Sequence, residues 1–571
     1  MTDQSVQSEE SSVTFASHID AQDRDGGCRY SLSQYGVVFC AALLVRMVHI
    51  LALKASPIFQ YKIGDAARYD QWAKAIASGN WMGEGVFYQA PLYPYFLGVI
   101  YKFIGDDILT VRRVQAVLGA ISCVFIMKAA GNLFGKRSGM LAGLILAFYA
   151  PTIFLESLIQ KSILDLFFLS FLLFLYTQSL RSRNPAYWLG VGIATGALCL
   201  TRENALVLIP LLGCWIVFGN SQWRGLQSSN FPRILPANRI AWMAAMGMGL
   251  CLTLGPVVLR NYSIGGHFHL TTSQLGPNFF IGNNPNANGT YQPLVPGRGD
   301  AKYEQQDAIR LAEAEAGHSL SPKQVSQHFL SKSVSYIKSD PLGWLGLLGM
   351  KTAMTFNAME IIDTEDQYTV ADWSPVLRVT NFVFHFGTLV PLAILGFVVT
   401  RRKWQSLWLL YLIAGAFALT VVAFFVFGRY RYPLVPVFIL FAAPAILFLH
   451  QEIRTWKWKS IVRSSVAIAV LFALCNLEIT PPNVGRGITL SNYGVQALIR
   501  NDLNHAEEFL SQANELLPNS HLVHNNLGVL YRETQRKHLA IVHFRIAAEL
   551  EPSDTKVRMN LKRILAIKTV E

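Results

Sequence analysis

Very little of this sequence is charged. Asp, Glu, Lys and Arg make up 15% of the 571 residues, against 52% hydrophobic ones, and the mean hydropathy is +0.32. That scarcity excludes an ordinary soluble domain, in which about a quarter of residues carry charge. Cysteine is scarce as well, with seven in the chain. Cys40, Cys123, Cys199, Cys214 and Cys251 lie inside apolar runs, which reads as membrane-core thiols and not as a disulfide framework. There is no glycine-rich phosphate loop, no Cys/His metal spacing and no zinc ribbon, so those routes to phosphate or metal binding are closed. Residues 1–33 lack the basic start of a signal peptide. Polar, acidic and rich in Ser and Gln, they read as a disordered cytoplasmic tail.

What the chain has in abundance is long uncharged runs, each long enough to cross ~30 Å of hydrocarbon. The first covers Tyr35–Leu53, broken only by Arg46 and His49. Others lie near 108–130, 140–155, 163–180, 186–200, 205–218, 240–259, 376–399, 407–427, 432–450 and 461–475. Together they predict an all-α polytopic membrane protein of about eleven spans, within a range of roughly 10 to 13. The net charge of +13 belongs to short basic loops and anion-binding groups, and no nucleic-acid partner is expected. An amino terminus inside puts Gly135–Arg137, Arg181–Arg183, the 224–239 loop, Arg401–Lys403 and Arg454–Lys459 in the cytoplasm, as the positive-inside rule asks. Residues 55–107 and 260–375 then form outer loops. This parity requires 92–104 and 342–356 to be helices lying along the outer surface. The membrane domain is read as 34–480, in a bacterial inner membrane.

After Cys475 the composition turns charged and helical, and a repeat appears. Asn492, Gly494, Ala506, Ala513 and Pro518 recur 34 residues later as Asn526, Gly528, Ala540, Ala547 and Pro552. The asparagine recurs again at Asn560. The period and its small residues resemble the tetratricopeptide repeat, in which paired helices pack through Gly and Ala. Residues 488–571 are therefore expected to form a small α-solenoid of two repeats plus a helix from 555 to 567, outside the membrane, with a protein as its partner.

The chemistry is expected in the polar run Ser56–Pro94. Asp65 stands at an N-cap position before a helix over 66–78, with Asp70 five residues on and on another face. Asp65 is either a plain cap or a general base. Charged groups at membrane depth are costly and so are functional candidates. Arg202, Arg260, Arg429, Arg431 and Lys161 all come out at the outer face, where guanidinium groups suit a lipid phosphate. Tyr69, Tyr88, Tyr93, Asn283 and Asn284, in the same outer loops, are candidates for holding the sugar or the acceptor.

These residues form an ordered set. The run Gly-Asp-Ala-x-x-Tyr-Asp-x-Trp-Ala, then Ala-Pro-Leu-Tyr-Pro-Tyr, Leu-Thr-Arg-Glu-Asn, Leu-Arg-Asn-Tyr and Gly-Arg-Tyr-Arg-Tyr-Pro resemble the GT-C superfamily over about residues 35–450. This group contains membrane glycosyltransferases that use lipid-phosphate sugars, in the branch related to protein O-mannosyltransferases. The resemblance implies that Asp65 is the catalytic base and that the outer Arg/Lys residues hold the phosphate of a polyprenyl-phosphate sugar donor. The acceptor would be a hydroxyl on protein, lipid or glycan. Relatives commonly show Asp-Glu in that loop; here Ala66 follows Asp65. A divalent metal and a second carboxylate role for Asp70 are thus left open, and no other cofactor is implied. The rival reading is a transporter of an anionic or lipid-linked substrate. Against it, no inverted repeat is visible, and the charges cluster at one face instead of midway.

Overall fold

The computed structural model describes residues 29–219, 236–265, 274–296, 298–299 and 301–566, and among these there is no β-strand. Most of the expected tail and most of the 224–239 loop lie outside the described residues. The first helix runs Leu32–Lys54, slightly earlier than the tail was expected to end. Ser31 starts it with a capping box, accepting from the Gln34 backbone while Gln34 reaches back to the Ser31 N–H.

Each expected span falls on helix. Among the described residues, seven helices are long and apolar enough to cross a membrane, rising to eight if one bent pair counts as a span, and Ala186–Cys199 and Glu203–Phe218 are shorter apolar ones. Two expected spans are broken. Residues 140–155 divide into Lys136–Phe148 and Ala150–Ser157, bent by 52°. Residues 376–399 divide into Pro375–Thr380 and Phe386–Thr400. The two breaks meet each other, since the Ala150 N–H donates to the Phe384 carbonyl at 2.9 Å. Backbone groups freed inside a membrane protein need such partners. The apolar stretch Phe386–Ala423, at 38 residues, is about twice a bilayer's requirement, and the 3-10 turn Arg401–Lys403 interrupts it.

Helix Ile108–Phe134 stands at the centre, packed by Leu32–Lys54, Lys136–Phe148 and Ser162–Ser179. The buried ion pair of Arg46 with Glu156 crosses this core. Gly119 on the central helix lies directly against it, where a β-carbon would overlap Glu156 Oε2.

Beyond Cys475 the helices are Pro482–Ile499, Leu503–Leu516, His521–Glu533, Lys537–Leu550 and Thr555–Ala566. The first packs on the second and the third on the fourth, while the last covers the end. The 34-residue period is present in backbone detail. Leu503–Leu516 and Lys537–Leu550 have matching ends, and each follows a residue with positive φ, Asn501 at 60° and Gln535 at 58°.

Candidate active site

The run Ser56–Pro94 folds as a 3-10 turn, Pro57–Gln60, a helix, Asp65–Ala77, and a loop leading into helix Leu92–Phe103. Gly64, not Asp65, is the N-cap. Its φ of 56° is a left-handed conformation that glycine adopts without strain. A β-carbon there would also press on Thr364 Cγ2 at 2.8 Å. The cap expectation for Asp65 fails because its carboxylate is drawn away from its own helix. Oδ1 accepts from Gln89 Nε2 at 3.1 Å, and Oδ2 accepts from Arg429 Nη1 at 2.7 Å.

Arg429 carries a second carboxylate. Its Nη2 lies 3.0 Å from Asp363 Oδ2, and Gln160 Nε2 donates to the same oxygen at 3.3 Å. One guanidinium thus stands between two acids. Burial raises both carboxyls, but the Arg429 charge and hydrogen bond hold Asp65 below the usual carboxylate range, while Asp363 stays above it.

Around them is a cavity of about 120 Å³, lined by Asp65, Tyr69, Gln89, Lys161, Asp363 and Arg429. Gln274, Asn278, Tyr291, Glu304 and Tyr430 line it as well. At ~30 Å³ per water this is room for a polar ligand and not a packing gap. The Lys161 side chain makes no hydrogen bond or ion pair among the described residues, so its ammonium is available to a ligand; its charge is felt at both acids. Glu304 accepts from Tyr291 Oη at 2.9 Å. Burial, with the Asp65 charge beside it, pushes the Glu304 carboxyl up to about 7.

The other expected phosphate ligands are placed elsewhere. Arg202 is buried on Asp165 at 2.6 Å, not on its neighbour Glu203, and donates to the Arg429 carbonyl at 2.8 Å. It therefore sets the backbone from which Arg429 projects. Arg260 ties the loop before helix Leu92–Phe103, donating to the Met82 and Gly85 carbonyls and lying 3.7 Å over the Phe87 ring. Arg431 is enclosed, paired with Glu360 at 2.9 Å and donating to the carbonyls of Thr355 and Met359. Asp70 lies apart from the cavity, on Lys62, Tyr101 and Lys74. Five residues along a helix turn it away from Asp65.

Of the sugar or acceptor candidates, Tyr69 lines the cavity and Tyr88 lines a small adjoining one with Glu304. Tyr93 stands behind Tyr69 and donates to Gln115. Asn283 is fully buried, bonded to the Ala423 carbonyl and to Trp344. Asn284 closes its own helix on the Phe280 carbonyl. Neither lines the cavity; Asn278, one turn earlier, does. Sequence reasoning missed Gln89, Glu304 and Asp363, and only the acidic run Asp363–Asp366 gave a signal.

Among the described residues no group of three or more His, Cys, Asp or Glu could hold a metal ion. Asp65 and Asp363 face a guanidinium between them, and as placed they do not fit a divalent cation.

Residues 88–246 match the family described as dolichyl-phosphate-mannose-protein mannosyltransferase, a stretch that includes Gln89, Lys161 and Arg202. No curated protein matches the chain. Among solved structures, the chain is similar to the archaeal oligosaccharyltransferase AglB from Archaeoglobus fulgidus in complex with an inhibitory peptide and a dolichol-phosphate. The identity is 14% and the TM-score 0.40, over 81% of this chain and 56% of that one. The apo form of the Archaeoglobus fulgidus oligosaccharyltransferase gives 12% and 0.39, over 80% and 57%. ArnT from Cupriavidus metallidurans, bound to undecaprenyl phosphate, gives 15% and 0.32, over 74% and 79%. The chain spans 56–57% of the length of those archaeal structures. A multi-pass membrane protein, it is similar over residues 88–246 to the dolichyl-phosphate-mannose-protein mannosyltransferases.

Proposed function

We propose that the protein transfers a sugar from a polyprenyl-phosphate donor to an acceptor hydroxyl, with inversion, at the non-cytoplasmic face of a bacterial inner membrane. The observation that carries this reading is the ionised Asp65 carboxylate lining a polar cavity, with the Lys161 ammonium facing the same space. The acceptor oxygen attacks the anomeric carbon, its proton passes to Asp65, and the bond from that carbon to the phosphate oxygen breaks on the opposite face. Both Asp65 oxygens already accept one hydrogen bond, and a carboxylate has about four lone-pair sites, so an acceptor O–H still fits. Lys161 offsets the charge that builds on the leaving phosphate. Arg429 keeps Asp65 ionised, and because Asp363 shares its charge, the base is less weakened than it would be by an undivided pair. No step is assigned to a metal. The helices beyond Cys475 are read as tetratricopeptide repeats on the same outer side, open to a protein partner.

The test is transfer by the purified protein against a panel of labelled lipid-phosphate sugars. Asp65→Asn should keep the fold and lose roughly 10²–10⁴ in turnover, the range of a general base. Asp70→Asn should be mild. Near-normal turnover in folded Asp65→Asn protein would overturn the assignment.

A further inference from the structure

The loop that brings Asp363 to Arg429 is held from its other side by the C-terminal helices. Three consecutive loop residues are each gripped by helix Pro482–Ile499. Asn492 Nδ2 donates to the Thr364 carbonyl at 2.9 Å, Tyr493 Oη donates to Glu365 Oε1 at 3.0 Å, and the Asp366 N–H donates to Thr489 Oγ1 at 2.9 Å. Positions 489, 492 and 493 lie one turn apart on a single helix face. Tyr493 is fully buried, its ring set among Tyr61, Trp373 and Phe509. Thr364 also rests on Gly64, the cap of the helix that presents Asp65. The grip therefore acts one residue away from Asp363 and next to the start of the Asp65 helix.

We infer that Thr489, Asn492 and Tyr493 are positioning residues of the transfer site: they fix the 364–366 backbone so that Asp363 stands on Arg429. The C-terminal helices are then a wall of the site and not a detachable recruiting module. The kinetic part of this inference rests on the function proposed above; the structural part does not.

The inference has a signature that simple domain joining lacks. Asp65 faces Tyr69 on its own helix, Arg429 and Tyr430 from the turn after Phe427, Lys161 from the loop before Ser162, Glu304 from helix Ala301–Ala316, and Asp363. Glu365, which Tyr493 holds, faces Arg112 and Asp363. When Asp363 drifts from Arg429, the guanidinium acts on Asp65 undivided and a nearby negative charge is lost. Both changes lower the pH at which Asp65 takes a proton, and both make it a weaker base. Loosening the grip should therefore move the acid limb of kcat/KM to lower pH and lower its plateau. A contact that only joins two parts would reduce the yield of folded protein and leave the limb in place.

The experiment uses the full-length protein with Tyr493→Phe, which keeps the buried ring, and Tyr493→Phe with Asn492→Ala. Hydrogen exchange over 362–367 should quicken about tenfold, the factor carried by one hydrogen bond to a charged group, while 503–566 stays protected. The kcat/KM plateau should fall by about the same factor, with the acid limb displaced downward. Unchanged exchange at 362–367 in a folded double variant would overturn the grip, and a lowered plateau with a fixed limb would overturn the positioning role. Quickened exchange in a protein whose wild type transfers no sugar would keep the grip and remove the transfer reading.

Discussion

Of Lys161, Arg202, Arg260, Arg429 and Arg431, only Lys161 and Arg429 line the cavity, and the consequences of removing a lining and a non-lining cation differ. Lys161→Gln should weaken binding of a lipid-phosphate donor by ~1.5–3 kcal/mol, the scale of a charge-assisted hydrogen bond, with folding unchanged. Arg431→Ala should do the reverse. Its guanidinium satisfies several carbonyls and Glu360, so the variant should lose folded protein before it loses donor affinity. Titration calorimetry with a polyprenyl phosphate and a thermal melt separate the two, and equal donor affinity in Lys161→Gln and wild type would return Lys161 to the status of a bystander. Glu304 makes a pH prediction. Its carboxyl is raised from 4.5 to about 7, so the folded state holds the proton more tightly than the unfolded one. The stability this adds is complete below about pH 4.5 and is lost as pH rises through about 7. Melting in detergent at about pH 5 and about pH 8 should show a decline in wild type, on the order of 2 kcal/mol, that Glu304→Gln lacks. Parallel curves for the two proteins would show that Glu304 ionises normally. Asp65 could be picked out because it is an acid placed between two apolar runs. Glu304 and Asp363 could not, since each belongs to an outer loop with many acids. What selects them is Tyr291 and Arg429, and only the fold brings those close.

At the scale of helices, apolar run length carried most of the information. Every expected span falls on helix because nothing else satisfies a backbone in hydrocarbon. The breaks at Tyr149 and before Phe386 were not legible. Residues 140–155 hold no charge; Pro151, in the first turn of the second helix, is the local reason for that break, but its pairing with Phe384 through the Ala150 N–H joins residues far apart in the chain. The 34-residue repeat was legible because its Asn, Gly, Ala and Pro positions recur at that spacing, and the structure adds a positive-φ link at the same point of each repeat. Its attachment to the loop 364–366 was not, because Tyr493 looks like any aromatic on an apolar face. The central helix supplies a sharper test. Gly119→Ala would push a methyl into the Arg46–Glu156 pair, both of whose side chains are 2% exposed. Breaking a buried pair costs about 3–5 kcal/mol, so little folded protein should survive detergent extraction. A normal melting curve would mean that the pair can move aside.

For the whole molecule, the arrangement predicts sidedness. The loop around Asp65 and the C-terminal helices touch, so both must lie on one side of the membrane. Glu84→Cys and Asn519→Cys, both exposed positions, should react with an impermeant thiol reagent added outside, and labelling of either only from the cytoplasm would break the proposed topology. The pairing of Asp65 with Arg429 also has a meaning in time. The two are 364 residues apart, which at ~5–20 residues per second is about 20–70 s of synthesis. For that interval the nascent chain carries the acid without its Arg429 partner. Asp363 arrives before Arg429 does, and Tyr493, which fastens the loop, comes later still. On the proposed reading, a ribosome-bound or truncated chain is thus inserted yet inert, and the last segments to be made decide when the site is assembled.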